Sequence, residues 1–406
     1  MQTPNEWVTQ AEQLLLEGRL DEAVDAYSQA LTQDPEHIEA LLGAGSLCLT
    51  LELPVEARKF IDRLQALAPE EPRVQVVHGL WQEGTGDSKA ALATFANAAK
   101  QSPENYAARY HHGRALVVAK KVKESITELR KAVGLGPENI EAHYALGTAY
   151  KLDNDLGASI KQFSHLLELD PGNLDGYVTL VDVMADAQQF DMALEVLKQA
   201  KTIAPDVDII DEKRAAILVQ KGEVLSAVET LQELAKRQDD PKETLFNIAA
   251  FSMIGGKLEW VADATNQLLE RYPKEWRTQH LYAQLLDAAD KPEEAVNALK
   301  KAHQLAPQVW QPLNDLGDLL NAKVQSQPSV ATQAVDVLTE ACRLAPVEQL
   351  APRYNLILAY WNAGHHQRAK EAAQLLVSSN DPKHPIVQQT QEVLQAINEA
   401  MAAGQV

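Results

Sequence analysis

Two histidine pairs are the residues of this chain best suited to chemistry. His111-His112 and His365-His366 each set imidazoles side by side, as metal ligation or proton transfer requires. Neither pair has companions at ligand spacing: there is no Cys-x-x-Cys and no His-Glu-x-x-His pattern anywhere. His112 repeats His78 in a regular register, which reads as packing between equivalent positions with a backbone hydrogen bond, while His111 points elsewhere. His365-His366 follows Gly364, in a turn where exposed polar residues are expected. Gly43-Ala44-Gly45-Ser46 matches only the front of a dinucleotide fingerprint and lies inside a helical pattern, where the fingerprint requires a preceding strand. No nucleophile elbow and no P-loop is present, and the many carboxylates read as a solvated face. The expectation is therefore no catalytic site, no metal and no cofactor.

The elements that would position any functional side chain follow from a strict period. Proline recurs at 35, 69, 103, 137, 171 and 205, and the phase returns at Pro273 and Pro307, so one supersecondary unit is copied again and again at this spacing. Within the first unit Trp7, Ala11, Leu14 and Leu15 recur at helical spacing. Gly18 then breaks the pattern, and Ala23, Tyr27, Ala30 and Leu31 resume it. Each unit thus predicts two antiparallel helices, the second stopped by proline, which lacks the amide hydrogen and disfavours helical geometry in the residue before it. One hairpin cannot bury its apolar face alone, so neighbours stack.

The phased residues identify the family this pattern resembles. With proline at position 32, Gly45, Gly79, Gly113 and Gly147 fall at position 8, Ala23, Ala57, Ala91 and Ala193 at position 20, and Tyr27, Phe95 and Phe163 at position 24. Ala30, Ala98, Ala132 and Ala200 fall at position 27. The chain resembles the tetratricopeptide repeat over nearly its whole length. The resemblance implies an all-α fold, a right-handed α-solenoid or superhelix of stacked helix pairs. The array is expected over 4–382, with units near 4–37, 38–71, 72–105, 106–139, 140–173, 174–207, 208–241, 242–275, 276–309, 310–348 and 349–382. A C-terminal capping helix and tail are expected over 383–406.

Departures from the period mark expected interruptions. Asp239 stands where proline would be, and Asp240-Pro241-Lys242-Glu243 reads as an N-cap followed by a first-turn proline. Unit 242–275 has Val261, Thr265 and Leu268 at the usual small or aromatic positions, so looser packing is expected there. About five extra residues within Lys323–Ser329 lengthen one inter-helix turn.

In this family the first helix of each unit lines a concave surface, with positions 2, 5, 9 and 12 facing a bound segment. The resemblance places Tyr110, Arg114, Glu141, Tyr144, Thr148, Lys151, Asp175, Val178 and Asp182 on that strip, a mixture suited to peptide recognition. The other reading is that Tyr110 and Tyr144 fill space between units. Val8, Leu15, Leu42, Leu49, Val76 and Leu80 make the N-terminal stretch of the same surface apolar, covered either by a partner helix, by self-association or by the superhelix itself. Gln311, Asn314, Asp318 and Asn321 make unit 310–348 polar and suited to gripping an extended backbone. The carboxylate clamp of chaperone-binding members, with Lys and Asn on one helix, Asn on the next and Lys and Arg on a third, is not met by any three consecutive units.

Composition agrees. A net charge of −20 argues against a phosphate-backbone ligand, which needs a basic stripe. No apolar run approaches the roughly 18 residues of a membrane span, and no charged and apolar leader opens the sequence, so a cytoplasmic location is expected. Cys48 and Cys342, about nine units apart, read as buried small hydrophobes in a reducing compartment. The function expected is a non-catalytic scaffold or adaptor for protein or peptide partners. The alternative is the regulatory or substrate-recruiting subunit of an enzyme whose catalytic domain is on another chain.

Overall fold

The period takes physical form as a succession of antiparallel helix hairpins in the computed structural model, which describes residues 2–403; residues 404–406 of the expected tail lie outside them. Among the described residues the elements are all helical. They are α1 (Pro4–Leu16), α2 (Leu20–Gln33), α3 (Ile38–Thr50), α4 (Pro54–Leu67), α5 (Pro72–Gly84), α6 (Ser88–Gln101), α7 (Tyr106–Val118), α8 (Val122–Leu135), α9 (Ile140–Leu152), α10 (Leu156–Leu169), α11 (Leu174–Asp186) and α12 (Phe190–Ile203). Beyond these come α13 (Asp208–Lys221), α14 (Val224–Arg237), α15 (Lys242–Ile254), α16 (Leu258–Arg271), α17 (Trp276–Ala288), α18 (Pro292–Leu305), α19 (Gln311–Lys323), α20 (Ala331–Leu344), α21 (Ala351–Asn362), α22 (His366–Ser378) and α23 (Pro385–Ala402). A short 3-10 helix, Pro328–Val330, occupies the lengthened turn before α20. The helices gather into two compact units, Met1–Ile217 and Leu218–Val406, divided inside α13.

Proline ends the second helix of most hairpins as its chemistry dictates. The residue before it leaves helical geometry: Asp34 (φ −134, ψ 95), Ser102 (φ −128, ψ 77) and Asp170 (φ −130, ψ 85) are non-helical C-caps. Asparagines one repeat apart open the next hairpins. Asn105, Asn139 and Asn173 cap α7, α9 and α11 through side-chain oxygens that accept from Ala108 N, Ala142 N and Gly176 N at 2.9, 3.2 and 2.8 Å. Between the two helices of a hairpin the backbone turns through one left-handed residue, and this residue is itself periodic. Gly18, Glu52, Gly86, Lys120, Asn154, Gln188, Gly222, Gly256 and Asp290 all have φ between +57 and +90.

Close helix crossings set the interior. A Cβ on Gly79 would lie 2.4 Å from Phe95, and one on Gly147 2.8 Å from Phe163, so the absent side chain is what admits the ring. Ser125 and Ser159 take the place of the facing alanine and donate to the carbonyls of Gly113 and Gly147, both at 2.8 Å, leaving no buried hydroxyl unpaired there. A second periodic bond ties successive hairpins. Side chains at the fourth residue of the unit donate back to the carbonyl of the preceding unit's proline: Gln75 to Pro69 (3.2 Å), Arg109 to Pro103 (3.0 Å), His143 to Pro137 (2.9 Å) and Gln279 to Pro273 (3.2 Å).

In residues 242–275, Leu245, Val261, Ala264, Thr265 and Leu268 are at most 1% exposed, and a cavity of about 520 Å³ is lined by Pro241, Leu245, Ile248 and Asp263 among others. Several sequence expectations are corrected. Pro241 is the N-cap of α15 rather than its first residue, and it makes no side-chain cap. Asp240 accepts from Lys242 N at 3.4 Å, at the start of α15, and also from the Tyr272 hydroxyl. Cys48 and Cys342 are free thiols only half-buried, each with its pKa raised by burial.

Candidate functional site

The first helices of three successive hairpins, α7, α9 and α11, form a part of the expected strip that encloses a cavity. Tyr110, Arg114, Val117 and Val118 come from α7, Ile140, Glu141, Tyr144, Ala145 and Thr148 from α9, and Asn173 and Asp175 from the start of α11. Together they line a pocket of about 450 Å³, lying wholly in the first compact unit. The period puts Tyr110 and Tyr144 at the same place in adjacent helices, so their rings form one wall.

The aromatic wall is ordered by its neighbours. Tyr106 stacks on Tyr110 with centroids 5.8 Å apart and planes 7° from parallel, and Tyr110 meets His111 edge-on at 5.0 Å. Tyr144 stands edge-on to the buried Phe163 at 5.4 Å, and its hydroxyl reaches Thr179 Oγ1 at 3.3 Å. Tyr144 is nevertheless 38% exposed, so packing uses one edge of the ring and leaves the rest open. Burial raises the Tyr110 phenol above its usual value and Glu141 adds to this, while Arg114 acts against both. Tyr110 is therefore a neutral hydrogen-bonding group near pH 7.

The charges around the opening are unevenly satisfied. Arg114 is exposed, and its guanidinium lies 5.7 Å from the Tyr110 ring centre; among the described residues it pairs with no carboxylate. Glu141 and Asp175 are exposed and likewise without an ion pair among the described residues. Thr148 donates to its own helix at Tyr144 O (2.9 Å).

The remaining expected residues fall elsewhere. Lys151 lies 3.3 Å from Asp186, and Asp182 accepts from Lys213 at 2.5 Å, so both are held within the chain; the half-buried Val178 does not line the pocket. Val8, Leu42 and Val76 are only 6–7% exposed and belong to the core, while Leu80 is half-buried against Ala91 and Phe95. The apolar N-terminal strip is thus covered by the hairpins themselves, and it leaves no open face for self-association at those residues.

Two of the expected polar residues of α19, Asn314 and Asn321, are engaged within the chain. Asn355 on α21 donates to Asn314 at 3.1 Å and Asn362 donates to Asn321 at 2.8 Å, a two-rung amide ladder joining α19 to α21. Asn321 is buried, and neither side chain is left open to hold a peptide backbone. Asp318 keeps an exposed surface, but its carboxyl stands among crowded atoms, and this desolvation together with the Asp315 and Asp287 charges raises its pKa. Asp315 is engaged by His280 at 2.7 Å and Gln284 at 3.3 Å.

His112 lies 3.7 Å from Glu128 rather than on a backbone group, and His78 meets Gln65 at 2.7 Å. No group of three potential metal ligands occurs among the described residues. No helix among them is long and apolar enough to cross a membrane.

Comparison with known proteins matches this geometry. Tetratricopeptide repeat family models match residues 14–78, 82–140 and 140–173. Among solved structures, yeast Tom70 is similar over 98% of this chain and 96% of its own, with a TM-score of 0.51 and 10% identity. A thermophilic TPR protein of Thermus thermophilus covers 45% of this chain and 99% of its own, with a TM-score of 0.41 and 22% identity. The corresponding figures for PilF of Pseudomonas aeruginosa are 52%, 97%, 0.44 and 15%. No curated protein matches the sequence. At these identities the likeness is one of fold.

Proposed function

The chain is a tetratricopeptide repeat protein, and from that premise we propose that it is a non-catalytic scaffold whose first helices α7, α9 and α11 dock a segment of a partner protein. The repeat boundaries set out from the sequence are part of this reading. One observation carries it: the pocket is lined by an exposed tyrosine, Tyr144, and by a guanidinium, Arg114, that has no ion pair among the described residues, whereas Val8, Leu42 and Val76, at the place that Tyr144 holds in its unit, are consumed by packing. Tyrosine and arginine are the side chains that most often anchor interfaces.

A photoreactive residue in place of Val118, which is 61% exposed at the pocket, should crosslink the partner; the same residue in place of Val55, 72% exposed and outside the pocket, should not. Tyr110→Ala, Arg114→Ala and Tyr144→Ala should each weaken that partner by roughly 1–2 kcal/mol. A large fall in melting temperature with unchanged affinity would instead make the tyrosines packing residues and remove the site.

A further inference from the structure

The charge left uncompensated at this pocket differs from the charge on the rest of the inner face. Elsewhere in the first unit several carboxylates of first helices find a cation within the chain: Glu39 is held by Arg73 at 2.8 Å, Asp182 by Lys213 at 2.5 Å and Asp186 by Lys151 at 3.3 Å. Around the pocket this neutralisation stops. Glu141 and Asp175 line it, Glu83 lies close enough to act on Tyr110, and among the described residues none of the three has an ion pair. Arg114, the one cation among the described residues that line the pocket, lies over the Tyr110 ring instead of over these acids.

Apolar side chains line the pocket as well: Val117, Ile140 and Ala145, with Val118, which is 61% exposed. The pocket of about 450 Å³ is large enough to take a bulky side chain.

Resting on the docking role proposed above, we infer that the occupant is a basic, extended segment: a leucine or aromatic side chain seated between Tyr110, Tyr144 and Val118, with a lysine or arginine beside it meeting Glu141 and Asp175. Charge complementarity selects the sign of the partner. A cation arriving between two unpaired carboxylates gains attraction without displacing an existing partner, whereas an acidic segment meets like charge on a chain of net −20. Arg114 then serves the segment's backbone, because a guanidinium held at an aromatic face still presents N–H donors to a carbonyl. The carboxylates are exposed, so added salt weakens the selection.

Two matched pools of fluorescein-labelled nonapeptides test this against the full chain. Both fix a central leucine; one fixes lysine two residues to either side, the other glutamate, and all remaining positions are randomised over uncharged residues. The lysine pool should bind about tenfold tighter than the glutamate pool at low salt, as electrostatic complementarity provides. Glu141→Gln with Asp175→Asn should cut that ratio to about threefold or less, and alanine in place of the central leucine should lose about fivefold. A glutamate pool that binds as well as the lysine pool, or a ratio that survives the double variant, would overturn the inference. If the pools bind equally and Tyr110→Ala and Tyr144→Ala still abolish binding, the docking site stands and the basic segment falls. If neither pool binds the unaltered chain, both fall.

Discussion

Acidification should unlatch the first unit through His111. Its ring stacks on Phe95 with centroids 5.4 Å apart, meets Tyr110 edge-on at 5.0 Å, and lies near Arg114, with Nδ1 buried and unpartnered among the described residues. Burial first, and the Arg114 charge second, push its pKa from 6.5 to about 4. A histidine with a depressed folded value is neutral in the fold, while the unfolded chain takes up the proton more readily. Its contribution is therefore complete above pH 6.5 and is lost as the pH falls towards 4. For those two values the linkage relation gives a loss of about 2 kcal/mol between pH 7.5 and pH 5. His111→Phe keeps the stacking shape and removes the titration. Urea midpoints of the two proteins at pH 7.5 and pH 5 supply the comparison, since His78 and His112, also depressed by burial, titrate in both and cancel. The unaltered chain should lose about 2 kcal/mol more than the variant over this interval. Equal losses would show that the imidazole is not held neutral by its surroundings, and the burial argument would fail.

Two further expectations concern the scaffold. Glu52→Gly and Gln188→Gly replace side chains held at φ 57 and should raise the melting temperature, with a net gain of about 0.5–1 kcal/mol after the entropy of the added glycine; a fall would mean that these turns carry no strain. Gly79→Ala should cost about 1–3 kcal/mol by forcing the buried Phe95 ring aside, while Gly134→Ala, with nothing within 4 Å, should be neutral or stabilising; similar values from denaturant melts for both would refute the close-crossing argument.

The stacking was legible in the sequence because it depends on residues that only one physical role explains. A proline at the same place in unit after unit, and glycines facing aromatic rings, leave few alternatives. The left-handed turn was less legible, although it repeats as faithfully, because Glu52, Lys120, Asn154, Gln188 and Asp290 occupy it and carry no glycine signal. The ladder between α19 and α21 was hidden by its spacing: Asn314 and Asn355 are 41 residues apart, outside the regular register in which partners are sought.

The candidate site was legible in register but not in exposure, and the reason separates scaffold from function. Val8, Leu42, Val76, Tyr110 and Tyr144 all occupy the same inward place on successive first helices. The valines and leucine end inside the seam between hairpins, while a tyrosine is long enough to fill the seam and still present its outer edge, as Tyr144 does at 38% exposure. The period therefore fixes where a side chain starts, and its length decides whether it reaches a partner. The same holds for charge: Glu39 and Glu141 are equivalent by period, but Arg73 stands one repeat after Glu39 and the corresponding residue after Glu141 is Asp175. A cation there closes the ladder, and an acid leaves it open. In the proposed docking role, the recognition surface is the place where the repeat stops satisfying itself, between α7 and α11.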